Sequence, residues 1–315
     1  MIYGNNIAWK SLGGAPAITY PTVDVGKYQT IATRSNLLIS SNFGASFSSV
    51  AYDGDWFDAA ISMTGQYQLA ARAGGENTGV YYSSNYGSTW TCGVTGTCRG
   101  VAMTEDATQM YCAIQSGLVY KSTNYGSSWT SVGLASGALW YGVQCSPDGV
   151  YVIVFDASPS GYWLSSNSGA TWTDYRSASD GAEKPFITKD GQTITGNLTN
   201  GVTYDFGSSW TSITPPATGY TVNAMDWTGQ YMYAVIGGGN SSTIYRSSDY
   251  GASWTNCNVT YRHRNISCSS DGSIVIVPTW GDGVYRSTNY GVSFSSVGLA
   301  NAERVKIGMS TGTYA

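Results

Sequence analysis

An all-β propeller built from four-stranded antiparallel blades is the fold the sequence predicts. Three observations carry that reading. The eight-residue box SSNYGSTW at 83–90 returns, lightly edited, to give seven copies along the chain. The box glycines are spaced 38 to 44 residues apart, a period matching one propeller blade. Short runs rich in Tyr, Val, Ile, Trp and Thr alternate with Gly, Asn, Asp and Ser turns, and no 3.6-residue apolar period is sustained.

Each module reads as strands A to D. Strands A and B come first, as apolar runs around a turn: AAISMTGQYQLAA (59–71), VQCSPDGVYVIVF (143–155), AMDWTGQYMYAVI (224–236) and ISCSSDGSIVIVP (266–278). Strand C follows as GVYYS (79–83), GLVYKS (117–122), GYWLS (161–165), TIYRS (243–247) or GVYRS (283–287). The box comes next, and strand D leaves it as WTSV (129–132) or FSSV (47–50 and 294–297). One blade cannot bury its own faces, so the modules are expected to pack as a set.

The box is a turn between C and D. Its third residue is Asn42, Asn85, Asn124, Asn167, Asp205, Asp249 or Asn289, able to bind nearby backbone N–H groups. Two residues on, Gly44, Gly87, Gly126, Gly169, Gly207, Gly251 or Gly291 supplies the positive φ. The closing Trp or Phe returns the chain to the blade and buries apolar area. This pattern resembles the Asp-box (BNR) repeat of sialidases, some xyloglucan hydrolases, sortilin-type receptors and a photosystem assembly factor. The resemblance covers nearly the whole chain and implies the propeller fold; because those relatives do unrelated things, it implies no single function. Five boxes carry Asn where the family usually has Asp, a change that a structural turn tolerates.

Seven complete modules fit within 14–299. The head, MIYGNNIAWKSLGG, aligns with LVYKSTNYGSSWTSVG and would give strands C and D. The tail, ERVKIGMSTGTYA, aligns with FDAAISMTGQYQ and would give strand A and the start of B. The termini 1–13 and 300–315 are therefore expected to form a split eighth blade closing one domain over 1–315, with a seven-bladed ring as the alternative.

Composition narrows the function. Charged residues make up 11% of the chain and the net charge is -4, against a usual charged share of about 25%. With no basic run, nucleic acid is not an expected partner. No apolar window is long enough to span a bilayer. The N-terminus lacks the pattern of a signal peptide, so the expectation is cytosolic synthesis or exit by another route, such as release of virus particles. The Ser, Thr, Asn, Gly and Tyr palette suits glycan-facing or adaptable contact surfaces.

No cofactor or metal is expected. The six cysteines form no CxxC or Cys/His cluster; Cys145 and Cys268 read as small buried hydrophobes, and Cys92 and Cys98 as free thiols or a local disulfide. Asp53, Asp55 and Asp58 in AYDGDWFD are a candidate cation cluster, with solvated carboxylates as the plainer reading. The family resemblance to sialidases would imply an arginine triad, a Tyr–Glu pair, an acid/base Asp and an Arg-Ile-Pro element. Arg-Ile-Pro is absent, and Arg246 and Arg286 fall on strand C. Glu76, Glu105, Glu183 and Glu303 have no sialidase context, and His263 is the only histidine. An enzyme is thus the lesser expectation.

Propellers usually bind on the face carrying the D-to-A and B-to-C loops, opposite the boxes. Counting back eight residues from each A–B turn glycine or its equivalent gives Ile18, Phe57, Arg99, Tyr141, Glu183, Thr221, Arg264 and Arg304. Residues one step earlier include Trp56, Trp140, Tyr220 and His263. Phe57, Arg99, Tyr141, Arg264, Arg304, Trp56, Trp140, Tyr220 and His263 are the candidate ligand-binding residues, because aromatic faces and Arg forks suit sugars and protein hot spots. The alternative for Trp56 and Trp140 is filling gaps between blades. The expected function is a non-enzymatic scaffold that binds a glycan or glycan-bearing surface. The alternatives are a structural or assembly protein that docks another protein, for example in a virus particle, and a divergent glycoside hydrolase.

Overall fold

The computed structural model describes residues 27–33, 36–50, 54–134, 138–157, 160–175, 182–197, 201–203, 205–206, 209, 211–212, 220–236, 242–261, 266–279, 283–298 and 306–309. Within these residues are 28 strands and no helix. They form seven four-stranded antiparallel sheets, as the period requires.

Sheets II to VII each take their strands in chain order. Sheet II comprises Asp55–Ile61, Gln68–Gly74, Gly79–Ser83 and Thr91–Thr95. Sheet III begins with Cys98–Met103, sheet IV with Trp140–Cys145 and sheet V with Ala182–Ile187. Sheets VI and VII begin with Tyr220–Met225 and Ser267–Cys268. Sheet I differs: its strands B to D are Gln29–Ala32, Leu37–Ser40 and Ser48–Val50, and its strand A is Lys306–Met309 from the chain end.

The tail therefore does supply a strand A, but to the first module. Gln29 pairs with Met309 on one side and Ser40 on the other. Both edges of strand B are thus taken, by Leu37–Ser40 and by Lys306–Met309. Residues 1–26, including the expected head strands and Ile18, lie outside the described residues.

Burial falls from the inside outward. Strands B such as Met110–Ile114 and Val275–Thr279 are buried along their whole length. Strands D such as Thr130–Ser131 and Ser295–Ser296 are short, hydroxylated and exposed, which blunts an edge against pairing with other chains. The A strands pack on one another, sheet to sheet, from Asp55–Ile61 through Ser267–Cys268 to Lys306–Met309. Apolar clusters fill the junctions: Leu69 and Val80 meet Val101 and Met110, and Ile31 of sheet I sits with Ile274, Ile276 and Val284 of sheet VII.

On the box side a belt of backbone hydrogen bonds joins successive A–B turns. Met63 N–H donates to Glu105 O (2.7 Å), Glu105 N–H to Pro147 O (3.0 Å), Lys189 N–H to Trp227 O (2.9 Å) and Trp227 N–H to Ser270 O (2.9 Å). The gap after sheet IV has a covalent cause, since Pro147 has no N–H to give to sheet V.

The boxes fold as expected at the third residue and glycine, and add two features. Asn124 Oδ1 accepts from Ser128 N–H (2.9 Å), Asn124 Nδ2 donates to Ser128 Oγ (2.8 Å), and Ser122 Oγ accepts from Gly126 N–H (3.0 Å). The same set recurs around Asn42, Asn85, Asn167 and Asn289. In the two Asp boxes the direction reverses: Ser209 Oγ donates to Asp205 Oδ2, and Ser253 Oγ to Asp249 Oδ2 (2.6 Å each). The Ser253 hydroxyl and N–H hold the Asp249 carboxyl below the usual carboxylate range. The first new feature is the buried serine that opens six of the boxes, such as Ser83 or Ser287, and caps the glycine N–H, with Thr203 in its place in the fifth box. The second is the residue before the glycine, also at positive φ: Phe43, Tyr86, Tyr125, Ser168, Phe206, Tyr250 and Tyr290, at +52° to +61°. A non-glycine there costs about 1–3 kcal/mol. Stacking on the aromatic after the previous sheet's A–B turn offsets part of this: Tyr67–Tyr125 centroids are 4.5 Å apart and Tyr231–Tyr290 4.6 Å, contacts worth about 0.5–1.5 kcal/mol. Gly207 lies outside the described residues.

Candidate functional site: a bulged row on the D-to-A face

The A strands of sheets II, III and IV share an irregularity at one position. Trp56 pairs with Arg72 and Asp58 with Ala71, which leaves Phe57 as an extra residue. Cys98 pairs with Ile114 and Gly100 with Ala113, leaving Arg99. Trp140 pairs with Asp156 and Gly142 with Phe155, leaving Tyr141. A bulge of this kind re-aims the extra side chain and bends the strand. In sheet VI the shift falls two residues later, at Asn223, so Thr221 pairs normally with Val235.

The three bulged residues come together. The Arg99 guanidinium carbon lies 4.1 Å from the Phe57 ring centroid and 5.9 Å from that of Tyr141. Arg99 Nε donates to Gln115 Oε1 (2.8 Å) on the adjoining B-to-C loop. That loop is tied down by Gln115 N–H to Thr97 O (2.8 Å) and Ser116 N–H to Ala138 O (2.9 Å). Tyr141 is 45% exposed, and Phe57 and Arg99 are half-buried. The terminal guanidinium nitrogens have no hydrogen-bond partner among the described residues. The result is an oriented fork between two rings, suited to a planar or carboxylate-bearing group beside an apolar face.

Glycines let the strands close up beneath this row. A Cβ on Gly100 would stand 2.4 Å from Gly142 Cα, and one on Gly142 would strike the Phe155 ring.

Trp56 and Trp140 are not at the surface. They are 0% and 1% exposed and sit in the cores between sheets I and II and between III and IV. Trp56 packs edge-on to Tyr81 (5.2 Å) under the Arg72 guanidinium (5.6 Å). They occupy the position one residue before the bulge, and in a strand a one-residue step reverses the face. Cys98 occupies the same position in sheet III and is buried too. The gap-filling alternative is the one these two residues follow. Tyr220 pairs with Ile236 through its backbone, while His263, Arg264 and Arg304 lie outside the described residues.

The acidic cluster separates as well. Asp58 is buried, its Oδ2 accepting from Val101 N–H of the next sheet (3.2 Å). It therefore ties two blades together. Asp53 lies outside the described residues, and among those described no group of three His, Cys, Asp or Glu is placed to hold a metal. All six cysteines are free, Cys92 exposed and Cys98 buried; Cys145 and Cys268 are half-buried.

On the opposite face, the Lys189 ammonium lies 3.8 Å from the Glu105 carboxylate and 5.9 Å from the Trp227 ring centroid. Burial raises the Glu105 pKa and Lys189 opposes that rise. One ion pair beside an apolar ring is not the pair of carboxylates that glycoside hydrolysis uses. Among the described residues, no helix is long and apolar enough to cross a membrane.

No family model and no curated protein sequence matches the chain. Solved structures do. The GH74 xyloglucanase of Xanthomonas campestris superposes with a TM-score of 0.61 at 13% identity, over 92% of this chain and 55% of that one. YCF48 from Cyanidioschyzon merolae gives 0.63 at 16% identity, over 86% and 97%. YCF48 bound to a D1 peptide gives 0.56 at 10%, over 87% of each. The chain thus spans about half the length of the xyloglucanase, and nearly all of YCF48. At these identities the likeness establishes the fold, and the chain is an all-β protein of β-propeller type.

Proposed function

We propose that this chain is a non-enzymatic, Asp-box-type propeller of seven blades, closed by its C-terminal strand, that holds a partner-binding face of D-to-A and B-to-C loops. The partner is a glycan or a glycan-bearing surface. The observation that carries this reading is the run of three equivalent bulges that sets Arg99 between Phe57 and Tyr141. The bulge is repeated in three neighbouring blades and each time presents an aromatic or an Arg, with Phe57 also packing against the core and Tyr141 left 45% exposed. Rigid aromatic surface beside a fixed hydrogen-bonding fork suits a saccharide carrying an acidic group.

The second reading is a protein-docking scaffold, with the carboxylate supplied by Asp, Glu or a chain terminus. It is favoured by one neighbour of similar length, which was solved with a peptide bound. A divergent glycoside hydrolase stands third: the xyloglucanase shares the fold, while two of the carboxylates on the strands carrying the row, Asp58 and Asp156, are buried.

The test is a glycan array probed with the wild type, Arg99→Gln and Tyr141→Ala. Binding by the wild type that both substitutions weaken, at unchanged Tm, supports the glycan reading. Silence across the array moves the weight to protein docking, which pull-down with and without Arg99→Gln then examines. Turnover of aryl glycosides would overturn the non-enzymatic reading.

A further inference from the structure

The box face carries a cavity that the repeat pattern does not call for. It lies between the first and second boxes, has a volume of about 340 Å³, and is lined by Tyr28, Ile39, Phe47, Tyr86 and five serines. That volume falls at the lower end of the roughly 300–1,000 Å³ typical of small-ligand sites.

Its origin can be read from equivalent positions. The residue before each box's opening serine lies against the box of the next sheet. In sheet II it is Tyr82, whose ring packs so closely that a Cβ on Gly126 would stand 2.6 Å away. In sheet III it is Lys121, whose Nζ donates to Ser168 O (2.8 Å). In sheet IV it is Leu164, buried in a cluster flanked by Tyr151 and Phe206. In sheet I it is Ile39, which reaches Gly87 with its methyls and no further. The residue closing box 1 is Phe47, where boxes 2 to 6 have Trp and box 7 has Phe. Ile39 is smaller than Tyr82 or Lys121 and Phe47 smaller than the box tryptophans, and the space between them is open.

The lining has a definite chemistry. Tyr28 and Tyr86, 5.1 Å apart between ring centroids, form an aromatic wall. Tyr86 is 45% exposed. Ser41 on one box and Ser88 on the other make no side-chain hydrogen bond among the described residues, so both hydroxyls are available. No charged side chain lines the cavity. An aromatic face with hydroxyl donors and acceptors and no charge matches a pyranose ring, whose C–H face packs on aromatics while its hydroxyls exchange hydrogen bonds. The lining itself gives an anion no direct counter-charge, with the Lys27 ammonium 5.8 Å from the Tyr28 ring centroid outside it, and leaves a purely apolar guest facing serines.

We infer that the junction of boxes 1 and 2 is a binding site for one uncharged hexose unit, on the face opposite the Arg99 row and independent of it. The probes are the methyl glycosides of glucose, galactose and mannose, measured by saturation-transfer NMR against the full chain. Ile39→Tyr copies the side chain of the next repeat and fills the cavity; it is expected to weaken binding at least about tenfold, because the guest's burial is lost. Tyr86→Asn removes the wall while keeping a residue type that tolerates positive φ, and is expected to weaken binding similarly. Arg99→Gln should leave this signal unchanged. No transfer to any of the three glycosides overturns the inference. So does transfer that persists undiminished in Ile39→Tyr and Tyr86→Asn variants whose Tm matches wild type. Transfer lost in Arg99→Gln places the sugar on the other face and overturns it equally.

Discussion

The two faces of the propeller are built on opposite principles. The box face repeats: a buried Ser or Thr, an Asn or Asp, and a left-handed residue before the glycine recur from box to box, and aromatics after one sheet's A–B turn stack on the next sheet's box. The D-to-A face does not repeat. Equivalent positions hold Phe57, Arg99 and Tyr141 on bulges, or Trp56, Cys98 and Trp140 facing inward. Repetition at one end of each blade lets the other end vary without loss of fold, which is how a solenoid-like array holds a binding surface.

The largest effect expected from breaking this division is in the inward row. Trp56→Ala or Trp140→Ala should cost about 3–5 kcal/mol of stability, as for other buried aromatics, measured by urea unfolding. A fully stable Trp140→Ala protein would place that residue outside the core. Next comes the turn. Gly126 sits at φ +88° with Tyr82 against it, so Gly126→Ala should cost about 1–3 kcal/mol. Smaller again is the box side chain: Asn124→Ala should lose about 1–2 kcal/mol of hydrogen bonding, whereas Asn124→Asp should stay within about 0.5 kcal/mol, because Asp205 and Asp249 already form the same turn.

The smallest effect concerns pH. Four A–B turns place a buried Ser or Thr first and an Asp two residues later, as in Ser146 and Asp148 (2.6 Å). Sheet VI exchanges them: buried Asp226 accepts from Tyr231 N–H (2.7 Å) and from the Thr228 hydroxyl. Burial raises the Asp226 pKa, against the pull of those bonds. A raised carboxyl contributes stability that is full below the ordinary carboxylate pKa and is lost as pH rises through the folded value. Exchanging the pair back, Asp226→Ser with Thr228→Asp, should therefore raise Tm at neutral pH by less than about 1 kcal/mol equivalent. The gain should vanish in acid, as thermal melts across pH 3 to 7 would record, about the range where carboxylates titrate.

The fold was legible because its signal is periodic. Gly44, Gly87 and their equivalents mark a turn that side-chain chemistry dictates locally. The opening Ser or Thr and the left-handed residue before the glycine were almost as periodic, yet their roles depend on burial and on the neighbouring blade. The tail strand was legible as a strand but not in its partner: the tail resembles every strand A, and only pairing with Gln29–Ala32 distinguishes the choices. At the candidate site, the count of eight residues found Phe57, Arg99 and Tyr141. It could not separate them from Trp56 and Trp140, since a bulge decides which neighbour faces out and leaves no periodic mark. Gly100 and Gly142, one residue after Arg99 and Tyr141, were the available local sign of close backbone approach.

On the proposed function, the bulged row binds a saccharide while the tryptophans beneath it hold the fold. The most direct measurement is glycan-array binding of Arg99→Gln and Tyr141→Ala beside the wild type, with Tm recorded for each. The wild type should bind, and both variants should bind at least about tenfold more weakly, with Tm within a few degrees of wild type, since a partly exposed cation–π contact is worth about 0.5–1 kcal/mol. Binding that both variants retain in full, or a wild-type protein that binds no glycan, would contradict it.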